Sequence, residues 1–420
     1  MKFYDYEENT NKIPYDKEPI HRQATYKKTK QTSFKSSGKI VAIALCALLL
    51  INVIFGVCLI KLSKNNNNEP NNTIININSQ GAVDVSAATN KAKLSVACVH
   101  AGLTSGSSSD PDYQGFFNMA SKGAGVIFKD NKTSGEAYLV TCFHVVKGFT
   151  SQIYVLLYDS FVPEKATLVY YSSIYDIAVV KLSASSEYIK SAAQVAEIAD
   201  SSLMVEGEAS IAIGNPLGVG ISATSGIISK TTDLVDVDGV THRVMRTSAP
   251  INAGNSGGGL FDLNGRFIGL VSAKANDNAS NGNFIDCVAY AIPSNVAISI
   301  AENIVRNKMP VKAVVGFSLM VDASGIKMDI INGKYIPVQT VVVSKADNNG
   351  KFELYDKIIG FSYGSTVVNM TNLYSFDDHA FNIEKGDKVK FFVERDGEEI
   401  IVEVTITEDV SADYQDWYKA

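Results

Sequence analysis

Cysteine, tryptophan and histidine are scarce in this chain: five Cys, one Trp and five His in 420 residues. No CxxC pair occurs among the cysteines, which excludes a disulfide scaffold and a thiolate zinc module. The histidines form no HExxH and no metal-spaced pair, and no phosphate loop is present, so neither a metal nor a cofactor is expected. Charge is also low, with 20% charged residues and a formal net charge of -6. That average hides a split, because residues 1–39 hold nine Lys/Arg against five Asp/Glu, leaving 29 against 39 for the remainder. An acidic globular part argues against nucleic acid as a partner. The 46% of hydrophobic residues excludes a wholly disordered chain and allows a sizeable core. At roughly 150 residues per domain the length predicts two or three units.

The strongest single feature is residues 40–60, IVAIALCALLLINVIFGVCLI, 21 residues with Asn52 as the one polar member. Such a run matches a bilayer core of about 30 Å at 1.5 Å per residue. A buried helix of this length without charge is rare, and a cleaved signal peptide fits poorly with a 39-residue leader and no small-x-small site just after. An uncleaved membrane anchor is expected. Arg22, Lys27, Lys28, Lys30, Lys35 and Lys39 precede the span, and only Lys61 and Lys64 follow closely. The positive-inside bias therefore places the N-terminus in the cytoplasm and the rest outside the cell membrane. Residues 1–39 read as a disordered tail and 61–83 as an Asn-rich linker.

From residue 84 onward, short apolar runs alternate with Gly, Asn, Asp and Ser clusters: AGVIF (124–128), AYLVT (137–141), IYVLLY (153–158), IAVVKL (177–182) and ASIAIG (209–214). This spacing predicts a mainly β barrel or sandwich. Residues 293–309 show a helical period with Ser294 as candidate N-cap and Pro310 beyond, which reads as a domain end. Short strands resume over 312–408, with hairpin signals at Asp347–Gly350 and Asp396–Gly397.

Three segments carry candidate chemistry. In TCFHVVKG (141–148) an apolar strand ends in His144; in YDIAVV (175–180) Asp176 stands directly before a strand. In NAGNSGGGL (252–260) Ser256 occupies a glycine-rich turn before a further strand. A nucleophilic serine needs such a turn, because two amide N–H groups must converge where the attacked carbonyl oxygen becomes an anion. Taken one at a time, the His and the Asp read more readily as structural residues. Together they give a base, an orienting acid and a nucleophile in the order used by chymotrypsin-type proteases.

With IGNPLG (213–218), TSGIIS (224–229) and INAGNSGGGLFDLNGRFIGLVSA (251–273), these segments resemble the HtrA (Deg) family of serine proteases. The resemblance covers about residues 84–308 and continues weakly to 408. It implies a chymotrypsin-like double β-barrel protease domain over 84–310, with His144, Asp176 and Ser256 as the triad. Gly254 and Ser256 take the positions of the oxyanion-hole amides. The family usually has Pro at the place of Gly259 and Asn at that of Cys142, and neither position supplies catalytic chemistry. Ile251 and Asn252 are expected to line the primary pocket. No acid stands in TSAPIN (247–252), which disfavours basic side chains, and Ile251 resembles the family's apolar pocket residue, which implies small or medium apolar ones.

Residues 311–408 resemble a small α+β PDZ domain, with Val315, Gly316 and Phe317 as a loop that would receive a peptide C-terminus by strand addition. The usual short helix before Leu354 is replaced by ADNNGKFE (346–353), and a purely structural β module is the alternative. Residues 409–420 form a tail. Other features carry less: His100, His242 and His379 read as surface or packing residues, and Asp236, Asp238 and Gly239 as a hairpin turn rather than a calcium loop. Of Cys98, Cys142 and Cys287, at least one should be free or paired between molecules, and Cys142 should be a small buried residue. The expectation is a membrane-anchored extracytoplasmic serine endopeptidase, homotrimeric by the resemblance, acting on unfolded or exported proteins. Its rivals are a chaperone or envelope-stress scaffold with an unformed active site, and a dedicated processor of one partner.

Overall fold

The computed structural model describes residues 84–411, apart from 104–109, 132, 184–192, 238–239, 273–287, 308, 330–333 and 347–349. The expected tail, anchor and linker, together with Cys287 and most of the Asp347–Gly350 turn, lie outside the described residues. Among the described residues no helix is long and apolar enough to cross a membrane.

The apolar runs of the first half close into a barrel. Its strands are β1 (Val96–Ala101), β2 (Ser121–Asn131), β3 (Glu136–Cys142), β4 (Ile153–Leu157), β5 (Glu164–Ser172) and β6 (Ile177–Ser183), ordered β1-β2-β3-β6-β5-β4. Closure comes from β4 pairing back on β1, with Val99 opposite Val155. A second barrel follows, built from β7 (Ala209–Gly214), β8 (Ser222–Val237), β9 (Val240–Thr247), β10 (Gly259–Phe261), β11 (Phe267–Ser272) and β12 (Ala289–Pro293). Its order, β10-β11-β12-β9-β8-β7, is that of the first barrel read backwards, so one topology occurs twice. β1 and β4 are buried along their whole length, which is why they read as near-continuous apolar runs rather than alternating ones. The first core, including Val126, Val140, Val155 and Val180, is continuous with Ile211, Phe261 and Phe267 of the second barrel.

Helix α1 (Ser86–Ala92) leads into β1; α2 (Tyr113–Phe117) and α3 (Phe143–Val146) are short turns; α4 (Ser294–Asn307) is the one long helix described. In α4 the residues Val296, Ala297, Ile300, Ala301 and Ile304 recur at helical spacing and are buried in the first core. Burial of each Val or Ile side chain among them is worth about 1.5–3 kcal/mol. Ser294 does not act as the expected cap. Its hydroxyl donates to the Ala199 carbonyl at 2.7 Å and so ties the helix start to the segment before β7.

The polar stripe of α4 is buried too, so this helix is a joint to the region that follows it. Ser299 Oγ donates to Asp378 O (2.8 Å), Asn303 Nδ2 donates to Phe381 O (2.7 Å), and Asn303 Oδ1 accepts from Val311 N (2.9 Å). The region beyond contains β13 (Val311–Val314) paired with β20 (Glu408–Ser411). Its main sheet, ordered β14-β15-β16-β18-β19, comprises β14 (Ser318–Asp329), β15 (Lys334–Lys345), β16 (Lys357–Tyr363), β18 (Lys388–Arg395) and β19 (Glu398–Thr405). β17 (Thr366–Asn369) adds to β16. The core is aromatic, with Phe317, Phe352, Phe361, Phe376 and Phe391 in one cluster. Asp396 and Gly397 both take positive φ (+52° and +84°), which is the two-residue hairpin expected between β18 and β19.

Two expectations change here. The C-terminal unit extends to Ser411 because β20 pairs with β13. It is also not α+β among the described residues: beyond α4 only the helical turn Ala380–Asn382 occurs. The reason is local. Ser375 Oγ accepts from Thr371 N (3.2 Å) and Asn372 Oδ1 from Tyr374 N (2.8 Å), and such side-chain bonds compete with helix formation.

Candidate active site

Asp176 organises the first half of the site. It sits in the turn between β5 and β6 with φ of +51°, a left-handed conformation that aspartate tolerates better than most residues. From there its main-chain O accepts from Phe143 N at 3.0 Å and its Oδ1 accepts from His144 N at 3.0 Å. The start of α3 is thus docked on one residue. The second carboxylate oxygen, Oδ2, lies 2.7 Å from His144 Nδ1. A carboxylate only accepts, so Nδ1 carries a proton, and in the neutral imidazole Nε2 is the nitrogen with the free lone pair. The Phe143 ring stacks on Tyr171 at 4.1 Å and braces the same corner. Asp176 is buried and the His144 side chain 26% exposed, so the pair is shielded on the acid side and open on the imidazole side.

The second barrel reaches into this corner. Ser272, the last residue of β11, donates through Oγ to Asp176 Oδ2 at 3.4 Å. The turn at 252–258 is pinned by its own amides: Asn255 N donates to Asn252 O (3.0 Å), Gly257 N to Val271 O (2.9 Å) and Gly258 N to Asn255 O (2.9 Å). Across the barrel boundary Ala124 N of β2 donates to Ser256 O at 2.8 Å. Glycine is required at both positive-φ positions of the turn. Gly257 has φ of +82°, and a Cβ there would lie 2.1 Å from Ala124 O and 2.3 Å from Thr141 Oγ1. Gly254 has φ of +95°, and its Cβ would lie 2.3 Å from Asn215 O. Ser256 itself is buried at 4% exposure, on a turn docked against the end of β3, from which His144 springs two residues later.

The structure therefore brings His144 and Asp176 into direct contact and docks the Ser256–Gly254 turn on the same corner. Ile251 is half-buried on the second-barrel core and Asn252 is exposed at the entry to the turn. Val315, Gly316 and Phe317 lie elsewhere, in the connection between β13 and β14 of the C-terminal region. Phe317 is buried there, 4.1 Å from the Phe352 ring. Cys142 is fully buried, and its thiol donates to Val271 O at 3.3 Å. Burial, then the Asp176 charge, pushes that thiol well above its ordinary range. Ligand atoms of Cys142, His144 and Asp176 lie within 4.8 Å of one another, but a protonated thiol and an imidazole nitrogen committed to Asp176 make a poor metal site.

Sequence reasoning missed Ser272, Asn215 and His100. The first two stand inside the motifs 251–273 and 213–218, which was the available signal. His100 had none beyond the expected surface or packing role, and of those two it takes the packing one, fully buried on β1.

This constellation, on paired six-stranded barrels, defines a trypsin-like peptidase domain, and the family described by that name matches residues 123–270. The chain is 39% identical to the Lactococcus lactis (strain IL1403) serine protease Do-like HtrA over 206 residues, 47% of this chain and 48% of that one. It is 30% identical to the Lactobacillus helveticus serine protease Do-like HtrA over 312 residues, 71% of this chain and 72% of that one. Among solved structures, a serine endoprotease from Yersinia pestis aligns with TM-score 0.44 and 22% identity, covering 78% of this chain and 98% of that one. The chain belongs to the HtrA family of serine proteases. It spans about half the length of the Lactococcus relative it matches.

Proposed function

We propose that this chain is a serine endopeptidase with Ser256 as nucleophile, His144 as general base and acid, and Asp176 as the group that orients the imidazole. The observation that carries this is the 2.7 Å bond between His144 Nδ1 and Asp176 Oδ2, made at the corner where the Ser256 turn docks. In this scheme Nε2 takes the Ser256 hydroxyl proton as Oγ attacks a peptide carbonyl. The tetrahedral oxyanion is held by the amides of Gly254 and Ser256, and the imidazolium is stabilised by Asp176. Its proton then passes to the leaving amine, and water repeats the sequence to release the acyl group. Half-buried Ile251 and the lack of an acid in 247–252 support a primary pocket for small or medium apolar side chains.

The wider setting belongs to the same proposal. Residues 40–60 anchor the chain in the cell membrane with the N-terminus in the cytoplasm and the barrels outside. Substrates are misfolded or exported proteins in envelope quality control, and the working form is a homotrimer. The C-terminal region is PDZ-like and receives peptide C-termini at Val315, Gly316 and Phe317, supported by the position of β14 as an edge strand. The full chain in detergent, incubated with unfolded casein, tests the central part. Degradation that disappears with Ser256→Ala is expected. Suppression of casein aggregation without cleavage, equal in both forms, would instead establish the scaffold alternative.

A further inference from the structure

His100 and Asn215 stand 115 residues apart, on different barrels, and meet in the interior. The His100 ring stacks on Phe116 at 4.1 Å, nearly parallel at 7°. Its Nδ1 lies 2.8 Å from Phe116 O and its Nε2 2.7 Å from Asn215 Nδ2. The proton positions follow from the partners. A carbonyl can only accept, so Nδ1 donates to Phe116 O and Nε2 is an acceptor. Asn215 Oδ1 accepts from Gly220 N at 2.7 Å, and its Nδ2 also donates to Gly123 O at 3.2 Å. Since Gly220 N can only donate and Gly123 O only accept, the amide has one possible orientation. Every polar atom of the two side chains is thus engaged, and both residues are fully buried.

What this bridge holds is the loop 215–217. That loop is the wall behind Gly254: Asn215 O occupies the space a Cβ of Gly254 would need, at 2.3 Å, and Leu217 N donates to Ala253 O at 2.9 Å. The Ala253 carbonyl and the Gly254 N–H belong to one planar trans peptide and point in opposite directions. Fixing the carbonyl on Leu217 therefore fixes where the Gly254 N–H points. That N–H has no protein acceptor among the described residues. Leu217 adopts φ of +60°, a strained conformation for leucine that the surrounding loop must enforce.

We propose that His100 is a positioning residue for the oxyanion turn: acting through Asn215, it holds the 215–217 loop against Ala253 and aims the Gly254 N–H. This rests on the serine-protease reading above, in which that N–H is an oxyanion donor. His100 touches no reacting atom, and its effect should fall on the step in which the oxyanion forms.

The test compares wild type, His100→Phe and His100→Gln as full chains in detergent. Phe keeps the stacking and size but has no ring nitrogen; Gln restores one donor and one acceptor. Three readouts are taken: kcat and KM on a short apolar peptide amide, affinity for a peptide aldehyde that forms a tetrahedral adduct, and labelling of Ser256 by a fluorophosphonate. Loss of one oxyanion donor outright costs about 10²–10³ in kcat. Misaiming it through His100→Phe should lower kcat by about 10- to 100-fold. KM should stay within about twofold, aldehyde affinity should weaken by a similar factor to kcat, and His100→Gln should recover most of the loss. A folded His100→Phe with unchanged kcat and aldehyde affinity would overturn the inference, as would a Gln variant as impaired as Phe. If His100→Phe does not fold, Asn215→Ser, too short to reach the ring, is read by the same criteria. A wild-type chain inert to both peptide and fluorophosphonate would sink the protease reading itself, and the inference with it.

Discussion

The turn at residues 252–258 is held from two sides and the loop at 315–317 from one. Both are short connections expected to receive a peptide backbone. The first lies between two barrels, with Ser256 O tied to Ala124 of one and Gly257 N tied to Val271 of the other. Glycine is forced at Gly254 and Gly257 by neighbouring backbone oxygens. The second is fixed mainly by one ring, Phe317, inserted among Phe352 and Phe391 of the same aromatic core, while Gly316 stays exposed. A site that must stabilise a transition state needs donors fixed before substrate arrives, and clamping between two rigid bodies supplies that. A loop proposed only to capture a chain end can be anchored by packing alone.

This contrast predicts different responses to substitution. The largest effect should come from Asp176→Asn. The amide still accepts one bond, but it cannot enforce the Nδ1–H tautomer or stabilise the imidazolium. Peptide hydrolysis should fall about 10⁴-fold with a near-native melting curve. A melting temperature that collapses with activity would mean that Asp176 acts mainly through its bonds to the α3 backbone, and the contrast would blur. Next comes Phe317→Ala. Removing a fully packed ring should destabilise the C-terminal region by about 3–5 kcal/mol in urea unfolding, while hydrolysis of a short peptide stays within about threefold. Equal loss of short-peptide hydrolysis would show that the two regions are mechanically one.

The smallest of the three concerns pH. Burial, outweighing the bond to Phe116, and the neighbouring Lys122 charge bring His100 from 6.5 down to about 4. Opposite it on β4, Tyr154 is pushed up to about 12 by burial and by the Asp110 carboxylate, and stays neutral. Because the unfolded chain takes up the proton first, the neutral imidazole's contribution is complete above about pH 6.5 and is lost as pH falls toward 4. The difference between those values corresponds to about 3 kcal/mol. Urea unfolding at pH 7 and pH 4 should show wild type losing about that much more stability than His100→Gln. Parallel losses in the two proteins would remove His100 as the cause.

Much of this was legible beforehand where chemistry demands residue type and place together. The apolar runs mark the strands, and Ser256 in its glycine turn gives weight to His144 after β3 and Asp176 ahead of β6, which as single residues read as structural. What was not legible depends on partners distant in sequence. His100 looks idle on β1 until Asn215 arrives from the other barrel, and Ser272 looks like a strand end until Asp176 faces it. Ser294 carries a helix-cap signature, but tertiary packing gives its hydroxyl to Ala199 instead. The twofold use of one barrel topology is invisible in the residues because strand order is a property of pairing, not of periodicity. In the C-terminal region the helical content implied by the α+β resemblance is not found, and local Asn and Ser bonds shape residues 371–375 instead.

The central claim is that the clamped turn carries an activated serine. It is tested most directly by reacting the full chain with a fluorophosphonate and locating the adduct by peptide mass spectrometry. The account predicts a single adduct on Ser256, formed rapidly in wild type and at least about 10³-fold more slowly in His144→Ala. No adduct, or one formed equally fast without His144, would contradict it.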